Sequence, residues 1–133
     1  MIVVDTMVIA YLVLPGSFTH DAVRARRTDS NWVAPPLWRS ELRNVVATQL
    51  RARLIAEAQA LEHVRAAERI MGGHTLAVRS EDVVLLSASS GLCAYDCEFV
   101  ALAQQLGVQL VTADGRVLAA FPEIAVPLDR FGA

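Results

Sequence analysis

"AYDCEFVALAQQLGVQLVTAD" runs from Ala94 to Asp114 and reads as a helix, a stop, a strand and an acid. A helix is predicted over Ala94–Leu106, ended by Gly107, since glycine readily takes the left-handed conformation that closes helices. Tyr95, Phe99, Leu102 and Leu106 recur at helical spacing and predict its apolar stripe, with Asp96 at the flank. "QLVT" then reads as a short buried strand, and Asp114 follows it. The opening "MIVVDTMVIA" repeats this logic: a β-branched run, then Asp5, with Thr6 beside it as Thr112 is near Asp114.

Working outward, "WVA", "TLAV" and "IAVPL" read as further strands, giving five with "IVV" and "QLVT". Strands alternating with helical segments predict one α/β domain over residues 1–133 with a mainly parallel sheet. Ser80 is predicted to cap a helix that has Glu81 and Asp82 in its first turn and ends at Gly91. Residues 37–71 carry helical spacing, divided into two helices near Arg53–Ala56. Glu41 lies beside the Leu42, Val45, Val46, Gln49 face, away from Arg39 and Arg43. "GGH" at 72–74 marks a turn before the third strand.

Composition excludes several function classes. Apolar residues make up 54% and charged ones 20%, which predicts a packed domain rather than disorder. All 12 basic residues are arginine, so neither a P-loop nor Schiff-base chemistry is available. A net charge of -2 gives no general nucleic-acid footprint, leaving such contact to local arginines or bound metal. The N-terminal segment lacks the basic flank of a secretory signal, and no stretch suits a membrane span, so a cytoplasmic protein is expected. Cys93 and Cys97 are expected to be free thiols acting as small hydrophobes.

Parallel strands place Asp5 and Asp114 on the same edge of the sheet, where open α/β sheets bind ligands. Glu41 and Asp96 fall on half-buried helix flanks, where acids are costly unless paired or metal-bound. With no lysine to neutralise four acids, a divalent cation is expected. Carboxylates and hydroxyls are hard donors that suit Mg²⁺, with Mn²⁺ as a possible substitute. The implied chemistry is metal-assisted phosphodiester hydrolysis.

Together "IVVDT", "SELRNVV" and the Ala94–Asp114 stretch resemble the PIN domains, specifically the VapC-type ribonuclease toxins, over nearly the whole chain. The resemblance implies a three-layer α/β/α fold with a five-stranded sheet in the order 3-2-1-4-5. It assigns catalysis and metal binding to Asp5, Glu41, Asp96 and Asp114, with Asp5, Asp96 and Asp114 expected as direct ligands and Glu41 expected to bind the metal through water or to orient the attacking water. Thr6 would support Asp5, Thr112 would support Asp114, and Asn44 is a polar neighbour in the Glu41 helix. The implied activity is an Mg²⁺-dependent endoribonuclease, the toxin of a toxin–antitoxin module, hydrolysing RNA with a metal-activated water. Implied partners are RNA, a VapB-like antitoxin through which alone DNA is reached, and a second copy in a homodimer.

Simpler roles compete with these assignments. Asp5 and Asp114 could be helix caps, Asp96 could favour a helix N-terminus, and Glu41 could be solvated. Arg24, Arg26 and Arg27 could bind phosphate or end a solvated helix. Trp32, Trp38 and Phe18 could stack on bases but are expected in the core or the dimer interface, and Glu98, two residues from Asp96, is expected to point elsewhere. A haloacid-dehalogenase-like phosphatase would need a second aspartate where Met7 stands, and a phosphorelay receiver would need a late lysine. The remaining rivals are a PIN nuclease in RNA processing without an antitoxin and a catalytically silent metal- or RNA-binding PIN module.

Overall fold

The computed structural model describes residues 1–133. Four parallel strands form the sheet: β1 (Ile2–Val4), β2 (Trp32–Val33), β3 (Leu110–Thr112) and β4 (Ala125–Pro127). Their order is β2-β1-β3-β4, so the chain moves from β1 to one side and later returns to the other. Val3 is paired with Val33 on one flank and with Leu110 on the other. Every residue of β1 and β3 is buried. Because alternate residues face opposite sides, both faces of the sheet must be covered.

The covering helices are α1 (Thr6–Val13), α2 (Thr19–Thr28), α3 (Leu37–Arg51), α4 (Glu57–Met71), α5 (Ser80–Ser90), α6 (Ala94–Leu106) and α7 (Gly115–Ala120). Helices α1, α3 and α4 pack on one another, while α5 packs on α6, which in turn packs on β1 and β3. Both tryptophans are fully buried, and with Ile9, Leu42, Met71 and Leu102 they are among the largest side chains of the core. None of the single helices is long and apolar enough to cross a membrane.

The expected strand "TLAV" is reduced to one parallel bridge, Thr75 with Ala34 at the end of β2. The amide of Ala34 donates to the His74 carbonyl at 3.2 Å, and the amide of Leu76 donates to the Ala34 carbonyl at 3.0 Å. Pro35 and Pro36 then follow, and residues without an N–H cannot extend the ladder. Ala77 and Val78 are left without a partner strand. The bridge still occupies the third-strand position beside β2, so the expected spatial order survives with four strands.

Both long helical readings are borne out, with the break between α3 and α4 where Arg53–Ala56 placed it. Ser80 is the first residue of α5 rather than its cap, a role taken by Arg79. Gly107 ends α6 with φ 66°, a conformation that strains any side-chain-bearing residue. A Cβ there would meet nothing within 4 Å. Gly107→Ala should therefore cost roughly 1 kcal/mol through backbone strain alone. Urea unfolding would check this as a lower midpoint at an unchanged slope.

Candidate active site

The turn from β1 into α1 begins with Asp5, whose backbone N–H donates to the Val111 carbonyl of β3 at 3.1 Å. Strand β3 ends one residue before Ala113, and Asp114 then opens α7. These two chain ends lie side by side where the strand order reverses, the position at which open α/β sheets form a ligand crevice. The cleft there has a volume of about 420 Å³. Six of the seven residues singled out from the sequence line it, namely Asp5, Thr6, Glu41, Asn44, Asp96 and Asp114; the seventh, Thr112, is buried outside the cleft and bonds to Asp5.

Thr112 is fully buried, and its hydroxyl joins the two strand ends. It donates to Asp5 Oδ2 at 2.6 Å and accepts from the Asp114 backbone N–H at 3.0 Å. Thr6 donates to Glu41 Oε1 at 2.8 Å, tying the first turn of α1 to α3. Thr6 thus holds Glu41 rather than Asp5, whereas Thr112 holds the Asp114 backbone as expected and the Asp5 carboxylate in addition. Asp114 does cap α7, accepting from the Arg116 backbone N–H at 2.9 Å. Asp5 is the N-cap residue of α1 but makes no well-formed side-chain cap bond, although the Met7 amide lies near its carboxylate.

Charge in the cleft is only partly balanced. Arg116 approaches Asp96 at 3.7 Å and Asp114 at 3.6 Å, but its side chain is 75% exposed. Neither Asp5 nor Glu41 forms an ion pair. Burial raises the Asp5 pKa above its ordinary value of 3.8; the Thr112 hydroxyl and the nearby Met7 amide oppose this, and the charges of Asp114 and Asp96 add to it. Burial likewise raises Glu41 above 4.5, against the Thr6 hydrogen bond and with the charges of Asp5, Asp96 and Glu98.

These shifts set a sign for the pH dependence. A carboxyl with a raised folded-state pKa contributes stability below its unfolded pKa and loses it as pH rises through the folded value. The metal-free protein should therefore weaken as pH rises above the ordinary values of 3.8 and 4.5. Asp29 and Glu62, both shifted downward, act below that window. Melting temperatures in chelator from about pH 4 to about pH 7 should fall more steeply for wild type than for Asp5→Asn.

The structure also revises the surroundings. Cys93 is exposed at the N-cap of α6 rather than buried as a small hydrophobe, and its thiol donates to Asp96 Oδ2 at 3.2 Å. The three-residue spacing from cap to acid was the available signal, being that of a capping box. Glu98 does not line the cleft, yet its charge is felt at Glu41. Tyr95, assigned to the apolar stripe, is 65% exposed. The basic run divides: Arg24 bonds to carbonyls near the C-terminus, and Arg26 donates to the Ser30 carbonyl at 2.6 Å and lies over Trp32.

Hard oxygen donors on one cleft and an excess of negative charge fit a divalent cation. In the present side-chain arrangement, no three Asp, Glu, Cys or His side chains close into a ligand cluster. Asp5 is held by Thr112, and Asp96 is engaged by Cys93 and Arg116.

Known proteins share this architecture. The chain is 29% identical over 129 residues to Ribonuclease VapC3 of Pyrobaculum aerophilum, covering 95% of this chain and 98% of that one. The crystal structure of PAE2754 from Pyrobaculum aerophilum superposes with a TM-score of 0.73 at 20% identity, covering 96% of this chain and 90% of that one. FitAcB from Neisseria gonorrhoeae gives a TM-score of 0.68 at 22% identity, covering 95% and 96%. The profile of the PIN domain matches residues 2–125, and with the cleft placed at the strand-order reversal the chain belongs to the PIN domain family.

Proposed function

We propose that this protein is a divalent-metal-dependent endoribonuclease of the VapC type, the toxin of a toxin–antitoxin pair. The observation that carries this reading is the convergence of Asp5, Glu41, Asp96 and Asp114 on one cleft, two of them desolvated and without an arginine partner. The near full-length similarity to a protein named Ribonuclease VapC3 supports the choice of RNA.

Asp5, Asp96 and Asp114 would hold Mg²⁺, or Mn²⁺ in its place, with Glu41 acting through water. When bound, the ion supplies positive charge for the phosphate oxygens and acidifies a water. Thr112 fixes the Asp5 carboxylate and the Asp114 backbone together, so the two acids keep their spacing. Thr6 orients Glu41, whose carboxylate can bind the ion through water or orient the attacking water. Asn44, exposed on the α3 wall, can hydrogen-bond to RNA, and Arg116 can meet its phosphates.

Outside the cleft, α5 exposes Val84 and Leu85, and Tyr95 is exposed at the start of α6. This apolar surface would form the homodimer interface. A VapB-like antitoxin would cover the acidic cleft and provide the only route to DNA.

Incubation of purified protein with end-labelled total RNA tests the activity. Discrete products in Mg²⁺ or Mn²⁺ that vanish in chelator are expected. An RNA pool left intact by a protein that metal still stabilises would favour the silent binding module.

A further inference from the structure

Beside the acidic cleft lies a second cavity of about 400 Å³, within the size range of small-ligand pockets. Ala113, between Thr112 and Asp114, lines both spaces, so the cavity opens next to the carboxylates. Phe18 provides an aromatic wall, Leu118 and Leu128 apolar sides, and Asp21, Asp129 and Arg130 the charged groups.

The walls are held by an arginine turned away from solvent. Arg24 pairs with Asp21 at 2.9 Å and donates to the carbonyls of Leu128, Asp129 and Phe131 at 3.4, 2.8 and 3.2 Å. Helix α2 is thereby tied to the segment after β4, and the two sides of the cavity keep their separation. Phe18 is 49% exposed and packs on Tyr11, with ring centroids 4.7 Å apart. Tyr11 in turn lines the acidic cleft, so an aromatic pair leads from the carboxylates to the cavity.

We infer that this cavity is a nucleobase subsite, receiving the base next to the scissile phosphate of a single-stranded RNA; the inference rests on the ribonuclease reading. Bases splayed from single strands are recognised by aromatic side chains together with hydrogen bonds to their edges. Asp21 pairs with Arg24 through Oδ1, and its Oδ2 accepts from an exocyclic amine, as acidic side chains do from cytosine N4, whereas uracil presents no amine. Arg130, exposed at the cavity, donates to a base carbonyl or the adjoining phosphate. The shared Ala113 wall favours RNA as occupant over an unrelated ligand, because a strand crossing the carboxylates has its next base at this opening.

The test measures binding of fluorescent RNA hexamers to Asp96→Asn protein, with an abasic ribose scanned through the hexamer, alongside cleavage of the same hexamers by wild type. One abasic position should weaken binding about tenfold, the scale of lost base stacking on an aromatic ring. Adding Phe18→Ala should produce the same loss with intact RNA and abolish the effect of that abasic position, while Phe18→Trp should preserve both. Wild type should prefer an amine-bearing base there. If wild type cleaves but Phe18→Ala leaves RNA affinity unchanged, the subsite is overturned and the cavity is left to a peptide side chain. If wild type neither cleaves nor binds the hexamers, the ribonuclease reading falls and takes the subsite with it.

Discussion

Asp96→Asn should lower RNA cleavage about a hundred- to a thousand-fold, the scale seen when one preorganised electrostatic group is removed from an active site. Asparagine keeps the shape of the side chain and can still accept from Cys93, so the geometry at the start of α6 is preserved. Under the proposed function the lost charge is one that would hold the cation, while the fold has no need of it. Asp96 is 25% exposed, and its charge helps raise the pKa values of both Asp5 and Glu41. Removing a like charge from this group should leave the metal-free melting temperature unchanged or slightly higher. Parallel cleavage assays and thermal melts would check both halves, and a large drop in melting temperature would assign Asp96 to the fold rather than to the chemistry.

Thr112→Val should have the opposite profile, harming stability and activity together. The substitution is nearly isosteric but removes a buried hydroxyl that serves two partners. The Asp5 carboxylate loses a donor in a desolvated site, and the Asp114 N–H loses its acceptor. Leaving such groups unsatisfied should cost about 2 kcal/mol, read as a lower midpoint in urea unfolding. Thr112→Ser retains the hydroxyl and should recover most of this, losing only about 1 kcal/mol for the missing buried methyl. Cleavage should fall in the same order because Asp5 and Asp114 are no longer held at one spacing.

The fold was legible where its signals are local. Gly107 marked the end of α6, the β-branched runs marked β1 and β3, and the acids after those strands marked the edge bearing the cleft. The third strand was misread because its pairing depends on its neighbour: "TLAV" has strand composition, but the prolines after Ala34 end the ladder it would join. Tyr95 fits the helical period of α6, yet it lies at the first turn, outside the packed core.

The site shows the same division. The four acids and both threonines could be picked from residue type and position, whereas the hydrogen bonds among them could not. Thr112 reaches Asp5 across 107 residues of sequence and Thr6 reaches Glu41 across 35, distances over which only the folded sheet supplies the neighbour. Phe18 carried no pattern that distinguished it from a core residue. Its exposure beside the Arg24-braced cavity is a tertiary fact.

The measurement that most directly tests the central claim is single-turnover RNA cleavage as a function of Mn²⁺, with bound ion counted in the same samples from the loss of the free-ion EPR signal. The account predicts that the cleavage rate rises with the fraction of protein carrying the ion, and that binding and cleavage are both lost in the Asp5→Asn, Asp96→Asn, Asp114→Asn triple variant. Cleavage undiminished in chelator-treated protein with no bound ion would contradict it, as would full ion binding by the triple variant.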